Sequence, residues 1–481
     1  MLLPAIPDII NEFNISYNTA SWILTAYLIS GAVMTPISGK LSDIYGRKKM
    51  VIIIMMIYIL GISVGGLSTN ITFLIISRII QGIGISMFPI AFGIIRDQFP
   101  PKKLAIGVGI FSSMFAAGSV IGLALGANII QNLGWRVTFF SIIPFALVLW
   151  FIIRRLIYDI QYPKQFPPVD KIEIKPHESQ LQHRTDDNTA IIRSRSIDTK
   201  GAISLAITIS SFLLALSYWQ TGNNETYSIQ IIGFLTVGSV SLVLFVKIEK
   251  TARSPLLDLK LIKNKIILPA NVLLLVSFLT MFTVYQTIPV LVRSPYPIGL
   301  GGNAVSTANI QLPFMIVFLL FAPFSGFIIS KLGNTKPTIV GSIIATIGFI
   351  SIFLFHTTDF SLATTLGVIA TGLSLTQVGG FNIILESTPR HLSGMSLGMT
   401  VLLNLIGGAV GPALAGIYMQ ANRVFVKDVG SYFPSAQSYE LIFFTTMLLS
   451  LISIALALII KKNTYLKPKE ITTGEFETTD G

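Results

Sequence analysis

The sequence predicts an all-α polytopic membrane protein, and three observations support that prediction. Hydrophobic residues make up 52% of the 481 residues and charged residues only 12%, whereas soluble domains hold about 25% charged residues. Apolar stretches of about 20 residues, enough to cross a bilayer, recur along the chain. The net charge of +12 would suggest a nucleic-acid partner in a soluble chain. Here the cations lie mostly in short turns between apolar stretches, so they set topology instead and no nucleic acid is expected.

Thirteen apolar segments meet or approach the length of a membrane span. We predict spans at 21–39, 50–68, 71–95, 104–127, 135–157, 200–219, 229–247, 266–292, 306–330, 337–356, 361–384, 395–419 and 440–460. Every second turn between these spans is basic, and most of the turns opposite them hold no Lys or Arg. Basic turns stay on the cytoplasmic side. We therefore expect a multi-pass protein of the cell membrane, with loop 40–49 and the C-terminus in the cytoplasm.

The beginning of the chain does not fit this topology. Met1–Ile10 is apolar but too short to span, and span 21–39 runs inward, so residues 11–20 must lie outside. Either Met1 is outside without a preceding helix, or the chain starts midway through a first helix. We expect the second arrangement, which brings the native number of helices to fourteen.

The stretch Gly39–Lys49, GKLSDIYGRKK, combines four cations with one carboxylate between two apolar spans. Gly39 and Gly46 permit a tight turn and close approach of helices. Asp43 can accept hydrogen bonds from N–H groups or cap a helix N-terminus. Arg47 follows four residues later, and Asp97 in the next cytoplasmic turn is its expected partner. In the alternative interpretation, the cations only enforce topology.

This stretch resembles the signature loop of the major facilitator superfamily, G-x-L-a-D-r-x-G-r-k. The resemblance covers nearly the whole chain, since Ala20–Ser38, Ile76–Gly84 (ISRIIQGIG) and Gly134–Phe140 (GWRVTFF) are similar to other helices of that family. It implies two six-helix bundles and a charge relay that latches them in the outward-facing state. Fourteen helices resemble the drug:proton antiporter branch, and MLLPAIPDI resembles the outer end of its first helix.

On this basis the chain divides into five parts, which follow the spans and the polar insert. They are a first bundle with an incomplete first helix (1–157), a flexible cytoplasmic linker (158–199), two extra helices (200–247), a C-terminal six-helix bundle (248–460) and a cytoplasmic tail (461–481).

Arg78 lies well inside span 71–95, with Gln81 and Gly82 on the same helical face. An arginine inside a membrane is costly unless paired, so it marks a functional site. The family resemblance implies that this group takes part in proton coupling. The alternative is a structural arginine that binds neighbouring carbonyl groups. A midplane carboxylate, which proton-coupled exporters typically need, is not apparent in this chain; in the resembling branch one lies in the first helix.

Small residues form two predicted packing faces. Gly118, Gly122 and Gly126 resemble the antiporter motif of the fifth helix, with Leu123 in place of its proline. The second bundle has the intact form, with Gly407, Gly411 and Pro412. At 326–336 a degenerate copy of the signature loop holds Ser330 in place of the aspartate, which indicates internal duplication.

Few polar residues lie inside the C-terminal spans, and some of them can line a central substrate cavity with aromatic neighbours. The candidates are Trp22, Tyr27, Tyr285, Gln286, Gln311 and Asn404. Each of these is also able to serve only in helix packing or in hydrogen bonds between helices.

The sequence predicts a secondary transporter that exports small amphiphilic or drug-like compounds in exchange for protons. The chain has no cysteine, four scattered histidines and no GxxxxGK[ST] motif. We therefore expect no metal, no cofactor and no transport driven by nucleotide hydrolysis within this chain. We also expect a monomer. Alternatives are a carrier of an amino acid, sugar or siderophore, and a non-transporting receptor or scaffold. A lipid enzyme is least favoured, because only His391 near Glu386 suggests a reactive site.

Overall fold

Long apolar helices make up the computed structural model of the protein. It describes residues 5–15, 17–157, 198–221, 225–252, 255–257, 261, 263–427 and 430–465. Thirteen helical stretches in this part of the chain are long and apolar enough to cross a membrane, the number that the sequence predicts. Most of the linker predicted over 158–199 and of the tail predicted over 461–481 lies outside the described residues. The described ends are helical, since one helix begins at Thr199 and the last helix continues to Tyr465.

The helices fall into a first half, an extra pair and a second half. The first half comprises α1 (Ile6–Phe13), α2 (Tyr17–Tyr45), α3 (Arg47–Gly66), α4 (Ile71–Gly82), α5 (Met87–Gln98), α6 (Leu104–Leu133) and α7 (Trp135–Leu156). The extra pair is α8 (Thr199–Thr221) and α9 (Glu225–Thr251). The second half comprises α10 (Ile267–Arg293), α11 (Ala304–Leu332), α12 (Thr335–Leu354), α13 (Asp359–Ser387), α14 (Ser393–Ala421) and α15 (Ala436–Tyr465).

Side-chain caps and glycines set several helix ends. Asn70, Asn303 and Thr358 each accept a backbone N–H in the first turn of the following helix, which satisfies a donor that the helix itself leaves unpaired. Gly46 and Gly333 have φ angles of 96° and 79°, a region that favours glycine. They separate α2 from α3 and α11 from α12.

Three local features differ from the sequence prediction. The polar hairpin predicted over 39–49 is shorter, because α2 continues to Tyr45 and only Gly46 lies between the two helices. Gly39 is therefore a helical residue, not part of a turn. The helical stretch Ile71–Gln98, predicted as span 71–95, is interrupted by a 3₁₀ turn at Ile83–Ser86. The loop after α14 holds two antiparallel strands, β1 (Arg423–Val426) and β2 (Ser431–Pro434), in which Arg423 pairs with Pro434.

The two halves pack against each other through α2 with α14 and α6 with α11. The extra pair lies beside one of these contacts, since α8 packs on both α2 and α14. The largest apolar core joins α6 to the second half, and a smaller one joins α1, α2 and α7. The end of the bundle that carries the basic turns is called the basic end below.

Candidate functional site

Arg47 is buried at the start of α3, where the two halves meet at the basic end. Its Nη1 donates to the carbonyl of Gly93 at 2.7 Å and forms an ion pair with Asp97 of α5. Its Nη2 donates to the carbonyl of Arg390 at 3.0 Å and to the hydroxyl of Ser393. The Arg47–Asp97 contact that the sequence predicts is therefore present. One guanidinium joins α3, α5 and the entry to α14.

Asp43 connects the same two halves through a helix N-terminus. Its Oδ1 accepts the N–H of Gly394 at 3.0 Å, and its Oδ2 accepts the N–H of Met395 at 2.9 Å. These N–H groups belong to the first turn of α14, where they have no partner inside the helix and carry the positive end of its dipole. Nη2 of Arg47 lies 3.6 Å from Oδ1 of Asp43. Asp43 thus caps a helix of the other half.

Glycines let α2 and α14 approach closely next to these charges. A Cβ at Gly39 would lie 2.3 Å from the carbonyl oxygen of Gly394, and one at Gly398 would lie 2.9 Å from Cα of Pro36. Both neighbouring atoms belong to the backbone and cannot turn aside. The close contact of the two helices therefore depends on glycine on each side.

The degenerate copy in the second half repeats this backbone geometry with different side chains. A Cβ at Gly326 would lie 2.3 Å from the carbonyl oxygen of Ala105 in α6. Ser330 Oγ donates to the carbonyl of Phe327 in its own helix. Asn334, which follows Gly333 as Arg47 follows Gly46, donates to Glu386 through its side-chain amide. A neutral amide thus replaces the arginine.

Two further contacts across the halves were not predicted from the sequence. Arg96 Nη2 donates to the carbonyl of Thr388 at 2.6 Å, and the ring of Phe92 stacks on that of Phe381 with centroids 4.5 Å apart. From the sequence, Arg96 is one of several cations in a basic turn. Its position directly before Asp97 is the only signal that could have drawn attention to it.

Arg78, Gln81 and Gly82 lie together in α4, inside the first half. Arg78 Nη1 donates to Gln81 Oε1 at 2.8 Å, and the guanidinium carbon lies 5.2 Å from the ring centre of Phe139 and 5.8 Å from that of Tyr27. Arg78 Nε is buried without a hydrogen-bond partner. Gly82 lets α4 approach α2, since a Cβ there would lie 2.3 Å from the carbonyl oxygen of Tyr27. Amide and aromatic groups therefore surround this charge.

The two predicted packing faces behave differently. A Cβ at Gly407 would lie 2.6 Å from the carbonyl oxygen of Leu275, and one at Gly411 would lie 2.6 Å from that of Leu279, so both glycines pack on α10. A Cβ at Gly118 would meet no heavy atom within 4 Å. Gly118 therefore makes no close helix contact of the kind predicted for it.

Gly122 and Gly126 are buried in α6, and Pro412 lies within α14.

The candidate cavity residues fall into separate contact groups. The ring of Trp22 meets that of Tyr218 in α8 at 6.3 Å, which places it beside the extra pair. Gln311 Nε2 donates to the carbonyl of Tyr285 at 2.7 Å within the second half. Gln286 is exposed, whereas Asn404 is 4% exposed and its Oδ1 has no hydrogen-bond partner. The sixth candidate, Tyr27, faces Arg78 as described above.

A charged cluster lies at the opposite end of the first half. Glu12 Oε1 forms an ion pair with Arg136 at 2.7 Å, and its Oε2 accepts the indole N–H of Trp135 at 2.7 Å. Arg136 also donates to the carbonyl of Ser68. Partial burial raises the pKa of Glu12, but the hydrogen bonds from Trp135 and Arg136 outweigh it, and the net effect lowers the pKa. The cluster ties α1 to α7.

Among the described residues, no group of three or more His, Cys, Asp or Glu side chains could hold a metal ion. Sequence reasoning missed a contact between Lys40 and the residues that follow α9. Glu249 lies between Lys247 and Lys250, and its place in the sequence gives no indication of which groups it contacts.

Two helical halves that meet at one end through repeated glycines and buried charges define an internally duplicated, multi-helix membrane protein. Residues 1–412 match the model of the Major Facilitator Superfamily, and the chain belongs to that family.

The chain is also similar to bacterial proteins whose names describe drug transport, resistance or export. It is 31% identical to Multidrug resistance protein 3 of Bacillus subtilis over 340 residues, which cover 70% of this chain and 59% of that relative. It is 25% identical to Multidrug transporter protein MdtP of the same organism, over 87% of this chain and 71% of that one. The Tetracenomycin C resistance and export protein of Streptomyces glaucescens is 24% identical over 89% and 73% of the two chains.

Solved structures share the fold at low identity. The human organic anion transporter MFSD10 superposes with a TM-score of 0.59 and 14% identity, over 94% of this chain and 88% of that one. The proton:xylose symporter XylE gives a TM-score of 0.56 and 14% identity, over 96% and 91%. At this identity the likeness extends to the fold alone.

Proposed function

We propose that the protein is a secondary active transporter that exports small amphiphilic or drug-like compounds in exchange for protons, by alternating access. The observation that carries this proposal is the closed basic end. There Arg47 and Asp43 connect the two halves through contacts that must break if the halves move apart. Such contacts act as a latch for one of two states, as alternating access requires. The latch comprises Gly39, Asp43, Gly46, Arg47 and Asp97.

Export of drug-like compounds is supported by the names of the relatives, which describe resistance or export. Carriers of metabolites remain the alternative. For proton coupling we propose Arg78 with Gln81 and Gly82. The support is a charge held inside the membrane by an amide and aromatic rings, an arrangement that is costly and marks functional sites.

The proposed orientation follows the positive-inside rule. It places the basic end and the C-terminus in the cytoplasm and the protein in the cell membrane, as a monomer. In this arrangement the closed basic end corresponds to an outward-facing state. The extra pair connects the two bundles, and residues 158–199 and 461–481 are cytoplasmic.

Purified protein in liposomes with an interior pH-sensitive dye tests the function. A fluorescent lipophilic cation, amino acids and sugars are each added on one side, with and without an imposed proton gradient. We expect the lipophilic cation to cross the membrane in the direction opposite to the protons, which flow down their imposed gradient. The interior pH should change to match this exchange. A cation flux that is the same with and without the proton gradient would contradict proton antiport. Flux of amino acids or sugars alone would favour the metabolite carrier.

The Asp43→Asn variant tests the latch in these liposomes. It keeps the shape of the side chain and removes the charge that faces the N-terminus of α14, so exchange should fall strongly while membrane insertion is unchanged. Full exchange in this variant would argue against the latch.

A further inference from the structure

Residues 255–257, called the seam segment below, follow the extra pair and lie against the latch helix α2. Lys40 is 8% exposed, and its Nζ donates a hydrogen bond to the carbonyl of Pro255. Lys40 stands one helical turn before Asp43, so both side chains occupy the same end of α2. The seam segment and the latch are therefore held by neighbouring positions of one helix.

Glu249 holds the seam segment from the other side. It is 4% exposed, and its Oε1 accepts the N–H of Leu256 at 3.0 Å and that of Leu257 at 3.4 Å. Glu249 lies in the last turn of α9, where the helix dipole disfavours a carboxylate. It does not stabilise its own helix there. Its contacts instead fix the chain that follows α9.

The side chains of the seam segment fill the junction between the halves. Leu256 and Leu257 are 0% and 6% exposed, and they belong to one apolar cluster with Ala32 of α2 and with Met395 and Leu402 of α14. Leu205, Ile209 and Phe245 of the extra pair complete this cluster. Met395 also gives its N–H to Asp43. Any movement of α14 away from α2 must divide the cluster.

We propose that Glu249 and Lys40 are positioning residues that seat the seam segment between α2 and α14, and so stabilise the state in which the basic end is closed. The extra pair is then part of the latch and not only a connection between bundles. Asp198, at the start of α8, caps Gly201 and borders Glu249: a Cβ at Gly201 would lie 2.5 Å from its Oδ2 and 3.2 Å from Glu249 Oε1. The inference rests on the proposed alternating-access function.

A thiol reporter at the seam tests this proposal, since the chain has no cysteine of its own. Ser42 is 1% exposed, and its Oγ would lie 2.7 Å from a Cβ at Gly394. Ser42→Cys is nearly isosteric and becomes accessible only when α2 and α14 separate. The rate of labelling by N-ethylmaleimide, a membrane-permeant reagent, is measured in detergent without substrate or proton gradient. It therefore reports closure of the basic end whether or not drug export is found.

Glu249→Gln in this background should raise the labelling rate about tenfold, the shift expected when a charged, buried hydrogen-bonding group is neutralised. Lys40→Gln should do the same, whereas Lys40→Arg should keep the parental rate because it retains a cationic donor. Glu440→Gln, an exposed glutamate on α15, is the matched control. If Glu249→Gln does not elute as a folded species, Lys40→Gln against Lys40→Arg carries the comparison.

A second reporter separates opening of the seam from loosening of the whole protein. Ser374 is 0% exposed and bonds Ser325 Oγ at 3.0 Å between α13 and α11, within the second half. Labelling of Ser374→Cys should not change in Glu249→Gln or Lys40→Gln. Parental labelling of Cys at position 42 in both variants would overturn the proposal. So would an equal acceleration at positions 42 and 374.

Discussion

The signature turn of the first half and its copy in the second half share their backbone but not their charges. A Cβ at Gly39 or at Gly326 would lie 2.3 Å from a backbone carbonyl oxygen of the opposite half. Gly46 and Gly333 both have a positive φ angle. Asp43 and Ser330 stand at the same distance in sequence after Gly39 and Gly326. Arg47 and Asn334 directly follow the second glycine of each turn, so the two pairs of residues correspond.

This difference teaches that close approach and latching are separate properties. Glycines give both seams the same fit. Within the described part of the chain, buried charge joins the two halves at one of these seams, where Arg47 and Asp43 bind the entry to α14. The corresponding Asn334–Glu386 contact stays within the second half and is exposed. The proposed latch is therefore one-sided, on a backbone framework that both halves share.

The largest expected effect comes from removing the carboxylate that pairs with Arg47, compared with the carboxylate that accepts a hydrogen bond from Asn334 in the second half. Asp97→Asn leaves Arg47 buried without its closest carboxylate, which should cost the closed state about 3 kcal/mol, the lower end for such a loss, because Asp43 remains 3.6 Å away. Labelling of Cys at position 42 should rise roughly a hundredfold. The matched Glu386→Gln changes an exposed contact and should cost under about 0.5 kcal/mol. Equal effects would show that the latch is not one-sided.

The second prediction concerns the shared fit. Gly39→Ala and Gly326→Ala each place a methyl group against a backbone carbonyl, so each should destabilise the closed state by about 1–3 kcal/mol, measured as faster labelling at position 42. Gly118→Ala is the control, because no heavy atom lies within 4 Å of its Cβ position. A large effect at Gly39 and none at Gly326 would contradict the symmetric fit.

Much of this architecture follows from hydropathy, since apolar length alone predicts thirteen spans. The Arg47–Asp97 contact was predictable because opposite charges in neighbouring basic turns have few other partners. The seam segment was not, because Glu249 and Lys40 are far apart in the sequence and their contacts are to backbone groups. A residue of any type can offer a backbone N–H or carbonyl group, so the sequence does not show where such a contact will form. For the same reason the extent of α2 was underestimated: Lys40 and Asp43 look like turn residues until their partners are known.

The third prediction tests the aspartate against its serine counterpart. Asp43→Asn keeps an acceptor for one N–H of α14 but loses the negative charge at the helix N-terminus, so the closed state should weaken by about 1–2 kcal/mol. Ser330→Ala removes only a hydrogen bond within its own helix and should stay within about 0.5 kcal/mol. Both are measured as exchange rates in liposomes and as labelling at position 42. Loss of exchange in Ser330→Ala would assign the copy a role that its contacts do not support.

The smallest effect is expected at the other end of the first half, and it tests whether the charged contacts of that half matter away from the latch. The pKa of Glu12 is lowered by Trp135 and Arg136, so its contribution to stability is present above the pKa of the unfolded chain and is lost as pH falls through the folded value. Glu12 is 41% exposed, and solvent weakens the pair. Glu12→Gln should therefore lower Tm at pH 7 by at most about 2 °C, and the difference from the parent should vanish at acidic pH. If the gap between the two melting curves instead widened on acidification, the carboxylate would be stabilising the fold in its protonated form, contrary to the contacts it makes.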